Sequence, residues 1–147
     1  MLLGTFEGRV DAQGRIVVPQ KFRDTVQSGM VLARGPDGCI VAYPPVEWQE
    51  VADSVSGFSR YDPNARKLQR FTFSGAFEAA PDRQGRVVVP ANLRSFAGID
   101  VNQPVVIAGQ NSYFEIWSVE GWGEQMAEQG NLSDIAEKLE RGHGESA

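Results

Sequence analysis

The chain is patterned in short bursts. Brief β-branched apolar runs alternate with turns marked by Gly, Asp, Asn or Pro, and with stretches of helical apolar spacing. Residues 5–10 and 77–80 predict short strands, and each enters a turn, "DAQG" or "DRQG". In such turns Asp caps backbone amides with its carboxylate, and Gly supplies the positive φ that closes the loop. "RIVVP" and "RVVVP" follow as β-branched strands. Pro19 and Pro90 end them, because proline cannot donate to a ladder, and both suit the first position of a helix. "QKFRDTVQSG" and "ANLRSFAG" read as short helices that stop at Gly29 and Gly98. "MVLARG" with "CIVAYP", and "PVVIAG" with "YFEIWS", read as hairpins.

Longer helices follow each hairpin. "PVEWQEVADSV" places Trp48, Val51, Ala52 and Val55 on one face. "DPNARKLQRFTF" has Asp62 as N-cap and Pro63 at the first helical position, with Ala65, Leu68 and Thr72 sharing a face. "SVEGWGEQMAEQ" begins at a Ser118 cap, and "LSDIAEKLERG" is amphipathic through Leu132, Ile135, Ala136 and Leu139. The closing "GHGESA" predicts a disordered tail.

The same phrase occurs twice. "DAQGRIVVPQKFR" and "DRQGRVVVPANLR" agree at 8 of 13 positions, 71 residues apart. "VLARGPDGCIVAYPPVEW" then aligns with "VVIAGQNSYFEIWSVEGW" at an offset of 74. The chain thus reads as two copies of one unit. A unit of about 40 strand-rich residues cannot bury a good core alone. Two units can pair about a pseudo-twofold axis, their hairpins interlocked in one small barrel with helices packed around it.

Composition narrows the class. At 147 residues and 41% hydrophobic, the chain suits one domain or two very small ones and is too apolar for disorder. No apolar run approaches the ~18 residues of a membrane span. "MLLGTFEGRV" lacks a basic leader and a long apolar segment, so no signal peptide is expected. Cys39 is the one cysteine, which excludes an internal disulfide and leaves nothing to argue for secretion. A cytoplasmic protein is expected. The net charge of −5 argues at first against nucleic acid, but it is unevenly spread. Residues 60–94 carry seven bases against three acids, and residues 115–147 carry two bases against eight acids. A locally basic face is compatible with that total.

In Asp-x-x-Gly-Arg, Asp11 with Arg15 and Asp82 with Arg86 flank a tight turn. Either pair could be a surface salt bridge worth only ~0–1 kcal/mol. Alternatively, each Asp orients its Arg so that the guanidinium fork faces outward, as suits phosphate oxygens or guanine edges. Lys21, Arg23 and, in the second copy, Arg94 could then add phosphate contacts, whereas Asn92 replaces the lysine. Enzymatic resources are thin. His143 is the only histidine, Cys39 lies in a strand, and no metal-ligand spacing or phosphate loop is present. Asp11 and Asp82 as a catalytic dyad would have to converge in a cleft. No metal or cofactor is expected. A protein-binding module is a further alternative, with Trp48, Trp117, Trp122, Phe71 and Phe73 as a possible aromatic surface.

The paired phrases, with "FSGAFEAAPDRQGRVVVP" and "FEIWSVEGW", resemble the MraZ family of bacterial transcriptional regulators over nearly the whole chain. The resemblance implies an α+β fold, a duplicated swapped-hairpin β-barrel of the AbrB/SpoVT type with flanking helices and two pseudo-symmetric halves in one chain. On that reading residues 1–59 form the first AbrB-like half with its following helix, and 60–75 a linking helix. Residues 76–130 form the second half, and 131–147 a C-terminal helix and flexible acidic tail. The resemblance further implies a ring-shaped, octamer-like homo-oligomer that binds double-stranded DNA at the nucleoid, with no membrane. It implies a repressor acting on direct repeats in the promoter of the division and cell-wall gene cluster, including its own gene. Carried over by motif, Arg15 and Arg86 are the leading DNA contacts, supported by Asp11, Gly14, Asp82 and Gly85. Lys21, Arg23 and Arg94 are weaker candidates. An antitoxin-like protein on the same barrel type is the nearest competitor, but such proteins usually carry one motif per chain.

Overall fold

The structure, a computed structural model, describes residues 1–146. The first half runs β1 (Thr5–Arg9), β2 (Arg15–Val17), α1 (Gln20–Val26), β3 (Met30–Arg34), β4 (Ile40–Tyr43) and α2 (Pro45–Ser56). Helix α3 (Pro63–Gln69) and a π-helical turn, Arg70–Ser74, lead to the second half. That half repeats the order as β5 (Phe77–Ala79), β6 (Arg86–Val88), α4 (Ala91–Ala97), β7 (Pro104–Gly109), β8 (Phe114–Ser118) and α5 (Val119–Ala127). Helix α6 (Leu132–Ser146) closes the described chain and continues past Gly142, where the pattern predicts a disordered tail. Ala147 lies outside the described residues.

The strands form a six-stranded antiparallel sheet in the order β1-β7-β8-β4-β3-β5 and a separate two-stranded ribbon, β2-β6. Each half keeps its own hairpin, β3-β4 or β7-β8, but gives its first strand to the other half's hairpin. Thr5 of β1 pairs with Ala108 of β7, and Met30 of β3 pairs with Ala79 of β5. Equivalent strands therefore exchange about a pseudo-twofold axis running between β4 and β8 and between β2 and β6. The sheet itself does not close: β1 and β5 remain as its edges. The architecture is thus an open antiparallel sheet with a ribbon and six helices.

One core serves both halves. Ile16, Val18, Phe22 and Val26 meet Val87, Val89, Leu93 and Ala97, with Leu32, Ile40, Ile107 and Ile116 of the sheet beneath them. The Phe22 and Phe114 rings, one from each half, sit 5.3 Å apart. Burying a side chain of that size stabilises by about 1.5–3 kcal/mol, and neither half could do so alone. A smaller cluster, Cys39, Val41, Val106 and Trp117, is bordered by Tyr43, Tyr113 and Trp122.

The helix ends follow local chemistry. Pro19 and Pro90 stand at the cap, one residue before the first helical position at which the sequence suits them. Asp62 accepts from Asn64 N–H at 2.8 Å, and Ser118 Oγ accepts from Gly121 N–H at 2.9 Å. Gly98, at φ +67°, ends α4. The helical face expected beyond α3 is broken. Ala65 and Thr72 are buried, but Leu68 is 42% exposed. The wide turn at 70–74 shifts the helical phase. Arg34 supports that turn by donating from Nε to Phe71 C=O and from Nη2 to Arg70 C=O, both at 3.0 Å.

The two halves lock at the turns. Val18 N–H donates to Gly85 C=O, and Val89 N–H donates to Gly14 C=O, each at 2.8 Å. Arg23 donates from Nε to Val18 C=O, and its guanidinium lies against Gly85 of the other half. Arg94 does the same with Val89 C=O and Gly14. Gly14 and Gly85 have φ of +79° and +77°. A Cβ on Gly85 would also overlap the Arg23 guanidinium, whereas one on Gly14 would stand 3.2 Å from Arg94. Gly85→Ala is expected to cost about 1–3 kcal/mol and to lower the thermal midpoint by several degrees, with Gly14→Ala costing less. Thermal unfolding followed by circular dichroism checks the order; unchanged midpoints would mean the turns absorb a side chain freely.

Candidate nucleic-acid interface

Each repeated phrase folds into one self-bonded loop. Asp11 Oδ1 accepts from Gln13 N–H at 2.9 Å and from Arg15 N–H at 2.8 Å. Asp11 Oδ2 accepts from Arg15 Nε at 3.0 Å. The backbone closes the loop: Asp11 N–H donates to Arg15 C=O, and Gly14 N–H donates to Asp11 C=O. The second copy repeats every bond. Asp82 takes Gln84 N–H at 2.9 Å, Arg86 N–H at 2.8 Å and Arg86 Nε at 2.8 Å. One carboxylate thus fixes both the strand entry and the arginine side chain.

The carboxyls of Asp11 and Asp82 are held below their ordinary value of 3.8. The main cause is the backbone N–H of Arg15 or Arg86, with smaller help from the guanidinium and the Gln N–H, against partial desolvation. Because Nε is the nitrogen engaged, each guanidinium keeps Nη1 and Nη2 for a ligand. Neither makes a hydrogen bond within the chain among the described residues.

Strand register puts these arginines on one face. In the β2-β6 ribbon Arg15 stands opposite Val88, Ile16 opposite Val87, and Val17 opposite Arg86. Ile16 and Val87 point into the core, each 2% exposed. Arg15, Val17, Arg86 and Val88 share the outer face, where both valines are 49% exposed. Side-chain exposure is 26% for Arg15 and 34% for Arg86. The outcome is a two-stranded ribbon with two held guanidinium groups and two methyl pairs arranged diagonally. Val17 and Val88 were not among the residues the sequence singled out. The signal was there in the period-two alternation of "RIVV" and "RVVV", which sends every second residue outward.

The remaining candidates lie around this ribbon. Lys21 is exposed in the first turn of α1, and Asn92 is exposed at the equivalent place on α4. Arg23 and Arg94 are half-buried, each bonded through Nε to its own strand and packed under the opposite turn. Arg83 is exposed on the second turn, where the first turn carries Ala12. Asp11 and Asp82 are each committed to their own loop. Cys39 is buried, and its thiol is pushed far up by desolvation first and then by Glu115, whose carboxylate accepts from Sγ at 3.6 Å. That environment disfavours the reactive thiolate. Most of the aromatic residues considered for a protein-binding surface pair with one another: Trp117 with Trp122 at 5.9 Å and Trp48 with Phe73 at 6.0 Å. Among the described residues no group of three His, Cys, Asp or Glu could hold a metal ion, and no helix is long and apolar enough to cross a membrane.

The depressed carboxyls give a signed pH dependence. A group with a lowered folded-state pKa contributes stability above its unfolded value and loses it as pH falls through the folded value. The wild-type chain should therefore melt above the Asp11→Asn/Asp82→Asn variant at neutral pH. The gap should narrow below about pH 3.8, as the carboxylates protonate. A gap that is constant down to acid pH would show that the loops do not depend on the charge.

Comparison with known proteins agrees with this duplicated loop. Residues 1–71 and 72–142 each match the family described as "MraZ protein, putative antitoxin-like". The "Transcriptional regulator MraZ" of Roseiflexus castenholzii is 42% identical over 140 residues, covering 95% of this chain and 96% of the relative. The protein of the same name from Herpetosiphon aurantiacus is 44% identical over 122 residues, 83% of this chain and 84% of the relative. That from Lachnoclostridium phytofermentans is 38% identical over 139 residues, 95% of each chain. With two matched repeats and such identity along nearly its whole length, the chain belongs to the MraZ family.

Proposed function

We propose that the chain is a sequence-specific, DNA-binding transcriptional regulator. The observation that carries this reading is the outer face of the β2-β6 ribbon, with Arg15 and Arg86 each held by an aspartate in a rigid loop. A two-stranded ribbon fits the major groove of B-DNA, about 12 Å wide. An arginine fixed through Nε can offer its two terminal nitrogens to guanine O6 and N7 with little further loss of side-chain freedom. Lys21 and Arg83 flank the ribbon as phosphate contacts, which orient the protein without reading sequence. Arg23 and Arg94 serve first to hold the turns, through Val18 and Val89, and reach phosphate only with their outer nitrogens. The relatives' name supports regulation of transcription.

The finer reading is repression at direct repeats in the promoter of the division and cell-wall gene cluster, including the chain's own gene. It places the protein in the cytoplasm at the nucleoid. A ring of copies fits that reading, because one ribbon offers few cations and repeated boxes match repeated subunits. Avidity can exceed single-site affinity by ~10²–10⁴.

Fluorescence anisotropy tests it on two duplexes, one with direct repeats from upstream of the gene and one scrambled. The repeat duplex should bind more tightly, with log K falling by roughly 0.9 per neutralised phosphate per decade of salt. Arg15→Ala or Arg86→Ala should each cost about 1–3 kcal/mol on the repeat duplex and narrow the gap to the scrambled one. Lys21→Ala should weaken both duplexes alike. Equal, weak binding by the wild-type chain to both duplexes, or wild-type affinity in a folded double arginine variant, would sink the reading.

A further inference from the structure

Helix α6 buries no side chain among residues 132–143; every one of them is exposed. Yet Leu132, Ile135, Ala136 and Leu139 form one apolar stripe, with Leu132 and Leu139 about 60% exposed (59% and 63%). A 15-residue helix containing two glycines is marginal in water without a packed face. The stripe therefore calls for a cover. On the helical wheel Glu140 lies along one side of the stripe and Lys138 along the other, whereas Glu137 lies on the far side, paired with Arg141 at 3.1 Å.

A surface of matching character lies elsewhere on the chain. A groove of about 400 Å³ between α2, α3 and the π-helical turn has Phe58 and Phe73 as its apolar walls. Arg60, Arg66 and Arg70 surround it, and none of the three is ion-paired among the described residues. Arg66 and Arg70 stand one helical turn apart, the spacing of a row that can face a neighbouring helix. Phe58 is 54% exposed. Helix α6 does not reach this groove in its own chain. It leaves from α5, which packs on β7 and β8, whereas α2 packs on β3 and β4 in the other half of the sheet. A four-residue connection, 128–131, allows at most about 18 Å of reach from α5.

We infer that α6 of one copy docks in the α2–α3 groove of a second copy. Leu132, Ile135 and Leu139 would lie over Phe58 and Phe73, and Glu140 would face Arg66 and Arg70. The contact is heterologous: each copy gives a helix and offers a groove, so copies join head to tail. It rests on the self-association proposed above and is independent of DNA binding.

The test uses full-length chains without DNA. Light scattering gives the mass of the wild type, of Leu132→Asp/Leu139→Asp, of Arg66→Glu/Arg70→Glu, and of Glu140→Arg. Circular dichroism confirms the fold of each. Each variant should associate about tenfold more weakly or worse, as loss of an interface anchor implies. Combining the two charge reversals in one chain should restore much of the lost association. A second measurement mixes a Leu139→Cys chain with a Phe58→Cys chain under mild oxidation; the native Cys39 is buried. A disulfide-linked pair of unlike chains is the expected product. Wild-type mass in every variant with no such pair would overturn the docking while leaving self-association intact. A wild type that stays at 16.1 kDa would overturn both. In a third sample, a chain carrying both substitutions, a crosslink confined to the monomer would overturn the exchange between copies.

Discussion

Two reciprocal backbone hydrogen bonds, Val18 N–H to Gly85 C=O and Val89 N–H to Gly14 C=O, tie the two halves together where β2 meets β6. They set the ribbon register, and with it the placing of Arg15, Val17, Arg86 and Val88 on the outer face and of Ile16 and Val87 in the core. A slip of one residue would send the arginines inward and the isoleucine outward. The glycine carbonyls that accept these bonds belong to the same loops that hold the arginines. The geometry of the ribbon's outer face and the junction between halves are therefore one structure.

This coupling explains the strict chemistry of the turn. Glycine is needed for its left-handed backbone at both turns and, at Gly85, also for the room taken by an arginine from the opposite half. Aspartate is needed as an acceptor of three donors, which no neutral side chain of its size supplies as well. The cost of ordering a long arginine side chain is met during folding, so under the proposed function little of it is left for binding. That is the sense in which the forks are preorganised.

Much of this could be read in the chain before its fold. The twofold repeat, the Asp-to-Arg spacing and the Asp62 and Ser118 caps are local signals, and local signals survive into the structure. Which hairpin each first strand joins is a different matter. Phe6 pairs across from Ile107 and Phe77 from Leu32, and strand patterning alone is equally satisfied by pairing within a half. The dual duty of Arg23 and Arg94 was hidden for the same reason: the glycine each one packs against lies in the other copy of the phrase. The π-helical turn was also silent. It depends on Arg34, more than thirty residues upstream, reaching the Arg70 and Phe71 carbonyls, and it changes the phase of Thr72 relative to Leu68.

The strand exchange also bears on how the chain is made. Thr5 finds its partner only at Ala108, so β1 emerges from the ribosome long before β7 exists. Hairpin β3-β4 likewise waits for both β5 and β8. Synthesis at about 5–20 residues per second leaves the first half without its strand partners for seconds. Long-range pairings of this kind also fold slowly. During that interval the open edges fit the second half of any neighbouring chain as well as their own. Tethering both halves in one polypeptide raises the local concentration of the correct partner, and duplication thereby becomes a safeguard against cross-pairing between nascent chains on one message.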